Sequence, residues 1–293
     1  MRYADLSDTD CGIAQTMGVV GDWWTWLVLR EIAGGRARFD RIQGELGISR
    51  RALTERLATL VGHEILTRRA YSERPPRHDY VLTPKGEGLL SVLVAMQEFG
   101  DRYLLGDGSV SASSAGDSAE ARRVHELVGR PIPELTLTAH DGTAVDVGGE
   151  TTERWRVLFL FPGAFAPGDA PPAWGQMPGT AGCTLEATTY ASRHADFAAL
   201  GADVIGISTQ QTDELDAFAD FAGLPYRLAS DGDALLAAHL RLPIFRTAGQ
   251  ERYKRQSLLV SPRGSIAHVQ MPITDPAGSV AEMLEAIEHL VEV

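Results

Sequence analysis

The sequence predicts two folded domains of different class, a mainly α unit followed by an α/β unit. Three observations carry this expectation. At 293 residues the chain exceeds what one typical hydrophobic core organises and suits two. The run LGDGSVSASSAGDSAEA at 105–121 has no apolar periodicity and is rich in Gly, Ser and Ala, the composition of a flexible connector. Before that run apolar residues recur at helical spacing, and after it short continuous apolar runs alternate with amphipathic stretches. The expected division is a first domain over 1–105, a linker over 106–124 and a second domain over 125–293.

In the first domain, Trp24, Leu27, Val28 and Ile32 repeat at helical spacing and predict one buried helix face, stopped at Gly34-Gly35. RFDRIQGELGIS predicts a short helix with Phe39, Ile42 and Leu46 inward and a turn at Gly47. Ser49 is an N-cap for RRALTERLATLVGHEIL, whose Leu53, Leu57 and Leu60 face one way. Arg50, Arg51 and Thr54 face another, in the first turn and a half. A short helix, a turn and a second helix with a polar, basic start is a helix-turn-helix layout, whose first side chains reach base edges while flanking cations hold phosphates. Ile65–Tyr71 and Tyr80–Thr83 predict two strands joined by SERPPRH, a hairpin with Arg74 and Arg77 at its tip. The helix-turn-helix with this hairpin makes a winged helix. PKGEGLLSVLVAMQEFGDRYL then predicts a long helix burying Leu89, Leu90, Leu93, Met96 and Phe99, suited to pairing with a copy of itself.

Charge agrees with that reading. The net charge of −12 argues against blanket nucleic-acid binding, yet between Arg36 and Lys85 eleven cations stand against six acids. The candidate DNA-contacting residues are Arg38, Ser49, Arg50, Arg51, Thr54, Arg74 and Arg77. No apolar run approaches the roughly 18 residues that span a bilayer. The polar, acidic start MRYADLSDTD does not read as a secretory signal. A cytoplasmic protein without a membrane partner is therefore expected, and in that compartment Cys11 and Cys183 are not expected to form a permanent staple.

Residues 8–105 resemble the HxlR branch of winged-helix regulators, close to MarR, through the runs RF..I, IS...L..RL..L and the wing PPR…Y.LT.KG. The resemblance implies a homodimer on a palindromic double-stranded DNA operator. It also sets Cys11 where several such regulators carry a redox-active thiol. Taken alone, Cys11 reads as a small side chain packing the first helix. Family members usually carry Gly-Lys before the first Trp, and this chain has Gly21-Asp22 there, one cation fewer.

In the second domain, RPIPELTLTAHDGTAVDV is an edge segment with a turn at Asp141-Gly142, and RVLFLF at 156–161 a buried central strand. Cys183 opens a helix whose stripe is Ala187, Tyr190, Ala191, His194, Phe197 and Ala198, stopped at Gly201. DVIGIS at 203–208 is a second buried strand and DELDAFADFAG a helix. SLLV and SIAHVQM are strands joined by a turn at 262–264, and a last helix runs over 279–291. Strand, helix, strand, helix, hairpin, helix is a thioredoxin-like order. A thiol at a helix N-terminus sits at the positive end of the dipole, which predicts a pKa below the ordinary value near 8.5. Thr180 can place its hydroxyl beside that sulfur, and Arg255 is the candidate cation for the thiolate. Such a group suits attack on a peroxide O–O bond, giving a sulfenic acid. The eight histidines have no metal-ligand spacing and no Gly-rich phosphate loop occurs, so no metal or other cofactor is expected.

The fragments LFPG, TAGCTLEA, GADVIGIS, LPYRLASD, YKRQSLLV and PRGSIAHV, over 129–290, resemble peroxiredoxins of the bacterioferritin-comigratory, or PrxQ, type. The resemblance makes Cys183 the peroxidatic cysteine, Thr180 its hydroxyl partner and Arg255 its stabilising arginine. Glu186 matches a motif position without an assigned role. Two departures stand out. Gln176 occupies the position of an expected Pro, next to an insertion over 163–178 that leaves Pro162 or Pro178 to shield the sulfur; Thr188 occupies the position of a resolving cysteine. The expected function is a redox-sensing transcriptional regulator in which peroxide oxidises Cys183 and Cys11 resolves it, or a small thiol or thioredoxin-like reductant does. The alternatives are a one-cysteine thiol peroxidase dimerised by its winged helix, and a docking module without thiol chemistry.

Overall fold

The computed structural model describes residues 10–73, 76–148 and 153–291. The chain divides into two compact units, Met1–Leu93 and Val94–Val293.

The first unit opens with helices α1 (Gly12–Val20), α2 (Trp23–Ala33), α3 (Phe39–Leu46) and α4 (Arg50–Gly62). An antiparallel hairpin follows, β1 (Leu66–Glu73) and β2 (Pro76–Leu82), then the turn-long α5 (Pro84–Glu87) and helix α6 (Leu90–Phe99). The hairpin is longer than expected, its register running out to Glu73 opposite Pro76. Three of these helices begin at a capping side chain: Asp22 accepts from the Trp24 N–H, Ser49 from Ala52 and Thr83 from Gly86. Asp22 also pairs with Arg56 at 3.3 Å. The core joins Trp26, Val28, Leu29, Ile42, Leu53, Leu57, Leu60 and Leu66. The α2 face is thus rotated from expectation: Trp26 and Leu29 are buried, whereas Trp24 and Leu27 are half-buried. On α6 the buried residues are Leu90 and Val94, while Met96 and Phe99, expected inside, are 48% and 55% exposed.

The second unit is a seven-stranded mixed sheet with helices packed on it. After one π-type turn (Gly100–Leu104) come α7 (Ala119–His125), β3 (Thr136–Ala139), β4 (Ala144–Asp146) and β5 (Trp155–Leu160). Then follow α8 (Cys183–Ser192), α9 (His194–Ala199), β6 (Ala202–Ser208), α10 (Thr212–Ala222), β7 (Arg227–Ser230) and α11 (Leu235–Leu240). A separate hairpin, β8 (Ile244–Thr247) and β9 (Gln250–Tyr253), precedes β10 (Gln256–Val260), β11 (Ile266–Gln270) and α12 (Gly278–Val291). Strand order is β11-β10-β5-β6-β7-β3-β4, with β5, β6 and β7 parallel and the remaining pairings antiparallel. This is the thioredoxin-like order expected, extended by β7, α11 and the β8–β9 hairpin. Phe159 and Phe161 of β5 meet Tyr190 of α8, Phe197 of α9, Phe218 of α10 and Met283 of α12 in one core, and Cys183 belongs to it. The expected α8 stripe is interrupted at Arg193, where the helix breaks, and Ala198 is exposed.

The segment expected to be a flexible linker is folded onto the second unit. Ala112, Ala121 and Val124 are wholly buried. Ser118 caps α7, Glu120 pairs with Lys254 at 2.8 Å, and Arg123 donates to Asp101 at 3.0 Å. Ala112 packs with Trp174 and Phe245, joined by Val110, Phe165 and Met177. The small residues that made the run look unstructured are what lets its backbone lie close against the sheet unit. Among the described residues no helix is long and apolar enough to cross a membrane.

Candidate functional site

Cys183 is the first residue of α8, and the backbone before it is shaped to put it there. Gly182 has φ 99°, a left-handed conformation, and a Cβ at that position would lie 2.6 Å from Pro276 Cγ. The loop leaving β5 brings the Gly163 N–H to the sulfur. That loop is clamped by Gln210, which accepts from Ala164 N at 2.8 Å and donates to Ala164 O at 2.9 Å. Arg255, just before β10, donates from Nη2 to Cys183 Sγ at 3.1 Å and to the carbonyls of Ala181 (3.1 Å) and Gly179 (3.3 Å). Its Nη1 forms an ion pair with Glu186 Oε2. The thiol itself lies 3.4 Å from Thr180 O.

Thr180 is beside the sulfur by its backbone and not by its hydroxyl. Oγ1 donates toward Trp174 O (2.7 Å) and Met177 O (2.8 Å), fastening the insertion instead. Within the insertion the rings of Phe165 and Trp174 meet edge to face, centroids 5.3 Å apart, and a Cβ on Gly163 would meet both at 3.2 Å. Arg252 lies over both rings.

The expected depression of the thiol pKa is not what the surroundings produce. Cys183 is 4% exposed, and burial pushes the thiol above its ordinary value. The Arg255 charge and the Gly163 N–H pull against this, and the Glu186 charge adds to it. Burial also lifts Glu186 to about 7, against the pull of Arg255. Desolvation is therefore the dominant influence on this thiol.

The connector completes the site. Ala112 donates its N–H to Pro178 O at 2.8 Å and accepts the Arg255 N–H at 2.9 Å. A Cβ on Gly179, where φ is 83°, would meet Ser113 N at 2.7 Å. Glu186, Gly163, Gln210 and Ala112 escaped sequence reasoning as site residues. Only Glu186 carried a signal, because a residue three positions after Cys183 shares its helix face.

In the first unit, Gly47 ends α3 with φ 61° and lets α4 start at Ser49. A cleft of about 510 Å³ between the α3–α4 corner and the hairpin gathers Arg38, Arg41, Arg50, Tyr71, Arg77 and His78. Arg38 stacks over Tyr71 at 4.3 Å and pairs with Asp79 at 3.3 Å; Arg50 lies over Phe39 at 5.2 Å. Arg51 is turned to solvent beside Glu55 (3.0 Å), and the Thr54 hydroxyl donates to Arg50 O. Arg74 lies outside the described residues. Arg41 and Tyr71 were missed, and the alternation of arginine with aromatic residues was the available sign. Cys11 is half-buried at the N-cap of α1, and both cysteines are free thiols.

Comparison with known proteins places both units. The redoxin family model matches residues 127–287, and that of the HxlR-like helix-turn-helix matches 19–107. The chain belongs to the redoxin family, with an HxlR-like regulator domain before it. An HTH-type transcriptional regulator of Mycobacterium tuberculosis is 33% identical over 148 residues, spanning 48% of this chain and 94% of that one. The HTH-type transcriptional regulator YodB of Bacillus subtilis is 34% identical over 100 residues, 33% of this chain and 89% of that one. Among solved structures, peroxidoxin BcpB of Mycobacterium tuberculosis is 21% identical with a TM-score of 0.47, covering 56% of this chain and 97% of its own. Peroxiredoxin Q of Xanthomonas campestris is 22% identical with a TM-score of 0.44, covering 54% and 91%.

Proposed function

We propose that this redoxin–HxlR chain is a peroxide-responsive transcriptional regulator. The observation that carries the reading is the Arg255 guanidinium 3.1 Å from the sulfur of Cys183 at the start of α8. In the proposed reaction the Cys183 thiolate attacks one peroxide oxygen. The S–O bond forms, the O–O bond breaks, and the leaving hydroxide or alkoxide takes a proton. The Cys183 sulfenic acid then reacts with the Cys11 thiol of the same or a second chain, losing water as the disulfide forms. A small thiol or a thioredoxin-like reductant is the other route.

The regulator binds a palindromic operator as a homodimer, with α4 in the major groove and Arg38, Arg50 and Arg77 on phosphates. The apolar side chains of Ile13, Met17, Met96 and Phe99, all exposed in the single chain, support pairing with a second copy. The connector at Ala112 is the element through which oxidation reaches the first unit. The test is operator binding, with the site selected from genomic fragments, before and after stoichiometric peroxide. Wild type should lose or gain at least tenfold in affinity, Cys183→Ser should not respond, and Cys11→Ser should form no disulfide. Unchanged affinity in wild type whose Cys183 is oxidised by mass would refute the reading.

A second reading, a one-cysteine peroxidase carried on a dimerising winged helix, is favoured by one observation. The second unit holds a single thiol, with Thr188 where a resolving cysteine would stand. Steady peroxide turnover with an added thiol, without a preferred DNA site, would favour it.

A further inference from the structure

We propose that Glu186 and Cys183 compete for the single charge of Arg255, so that Glu186 restrains ionisation of the thiol. The arrangement is a buried triad in which one guanidinium contacts both acids: Nη2 reaches Sγ at 3.1 Å, and Nη1 is paired with Glu186 Oε2. Glu186 is 0% exposed, Arg255 3% and Cys183 4%, so no solvent screens the charges. In such a place one cation compensates one anion well and two poorly.

Glu186 itself is incompletely held as an anion. Oε1 is buried and has no hydrogen-bond partner among the described residues. A carboxylate with one bare buried oxygen is costly, and a proton there removes the cost. The groups that face it do not change the count of charges. Tyr190 lies one turn further along α8, Tyr226 comes from the loop before β7, and both phenols are held neutral with pKa values raised by burial first and by the Glu186 charge in addition. Among the described residues Arg255 is the one cation that acts on Glu186.

Two states share the guanidinium. In one, Glu186 is ionised and Cys183 keeps its proton; in the other, the S–H bond is broken, the thiolate faces Nη2 and a proton is bound to the Glu186 carboxyl. Burial lifts Glu186 to about 7 and lifts the thiol as well, so Glu186 ionises first as pH rises and then opposes the thiol. Near neutral pH Glu186 is close to its midpoint, and wherever it is ionised it opposes the thiol. Glu186 is a positioning residue of unusual sign, because it holds Arg255 in place and at the same time takes up its charge.

The inference rests on Cys183 being the reacting thiol of the proposed function. Its test reads ionisation and not peroxide chemistry, so the two can fail separately. The measurement is the pH dependence of Cys183 alkylation by iodoacetamide, resolved by peptide mass, on the full chain and on Glu186→Gln. Charge competition predicts a lower midpoint in Glu186→Gln and alkylation about tenfold faster at pH 7. A merely structural role predicts the opposite, because a loosened Arg255 would leave the thiol harder to ionise. An unchanged or higher midpoint overturns the proposal. Glu186→Met removes the same charge at similar volume and carries the same expectation should Glu186→Gln fail to fold. Peroxide consumption measured alongside distinguishes the two readings: a lowered midpoint without oxidation by peroxide would leave the triad standing and refute the proposed function.

Discussion

At the scale of single residues, the thiol site is a contest between desolvation and one cation. Burial raises the Cys183 pKa, and the Arg255 charge is the largest influence that opposes it. A buried charge-assisted hydrogen bond contributes about 1.5–3 kcal/mol. Arg255→Met should therefore slow peroxide oxidation of Cys183 by about ten- to hundredfold, measured by single-turnover mass spectrometry. A rate within about twofold of wild type would mean that the guanidinium does not serve the sulfur. Much of this site was legible in the sequence. Cys183 at a helix start and a downstream Arg255 follow from spacing and residue type. The direction of the thiol shift was not legible, since it depends on how deeply the sulfur is buried. That depth is set by the core around β5 and α8, where Phe159, Phe161, Ala164 and Ala187 pack in one cluster with the cysteine, a tertiary arrangement that spacing does not reveal. The Thr180 hydroxyl failed for a similar reason: its acceptors, the carbonyls of Trp174 and Met177, belong to an insertion without a recognisable period.

At the scale of elements, α8 owes its start to a glycine. Gly182 combines a left-handed φ of 99° with Pro276 against its α-carbon. Gly182→Ala should cost about 1–3 kcal/mol of stability by denaturant titration, and it should slow Cys183 oxidation because the thiol moves with the first turn. A variant within about 0.5 kcal/mol of wild type with a normal oxidation rate would show that the turn tolerates a side chain. Long or strongly apolar elements were readable from sequence: β5, β6, β10, α10 and α12 lie within a residue or two of expectation. The β8–β9 hairpin and α11 were not. IFRT and QERY alternate too briefly to count as strands, and LLAAHL is shorter than two helical turns. The α2 register was ambiguous because WWTWLVL is apolar on every side.

At the scale of the whole molecule, the informative segment is the one that looked least structured. Ala112 is hydrogen-bonded on one side to the loop that carries Cys183 and on the other to the backbone of Arg255. An added oxygen on a sulfur that is 4% exposed has to displace one of its neighbours, and Ala112 holds the Pro178 carbonyl of the loop that leads to it. Hydrogen exchange at the Ala112 and Arg255 amides should accelerate at least tenfold after oxidation of wild type and stay unchanged in Cys183→Ser. Retained protection in a chain shown by mass to be oxidised would end the idea that the connector carries the signal.

The packed connector has a practical corollary for anyone who wants to transplant the redoxin unit. A chimera cut after the serine-rich run, as composition invites, would discard Ala112, Glu120 and the start of α7, and with them the seat of Arg255 and Lys254. The portable module begins at Val94. A foreign DNA-binding head would have to be joined ahead of Val94, so that the whole connector travels with the thiol it supports.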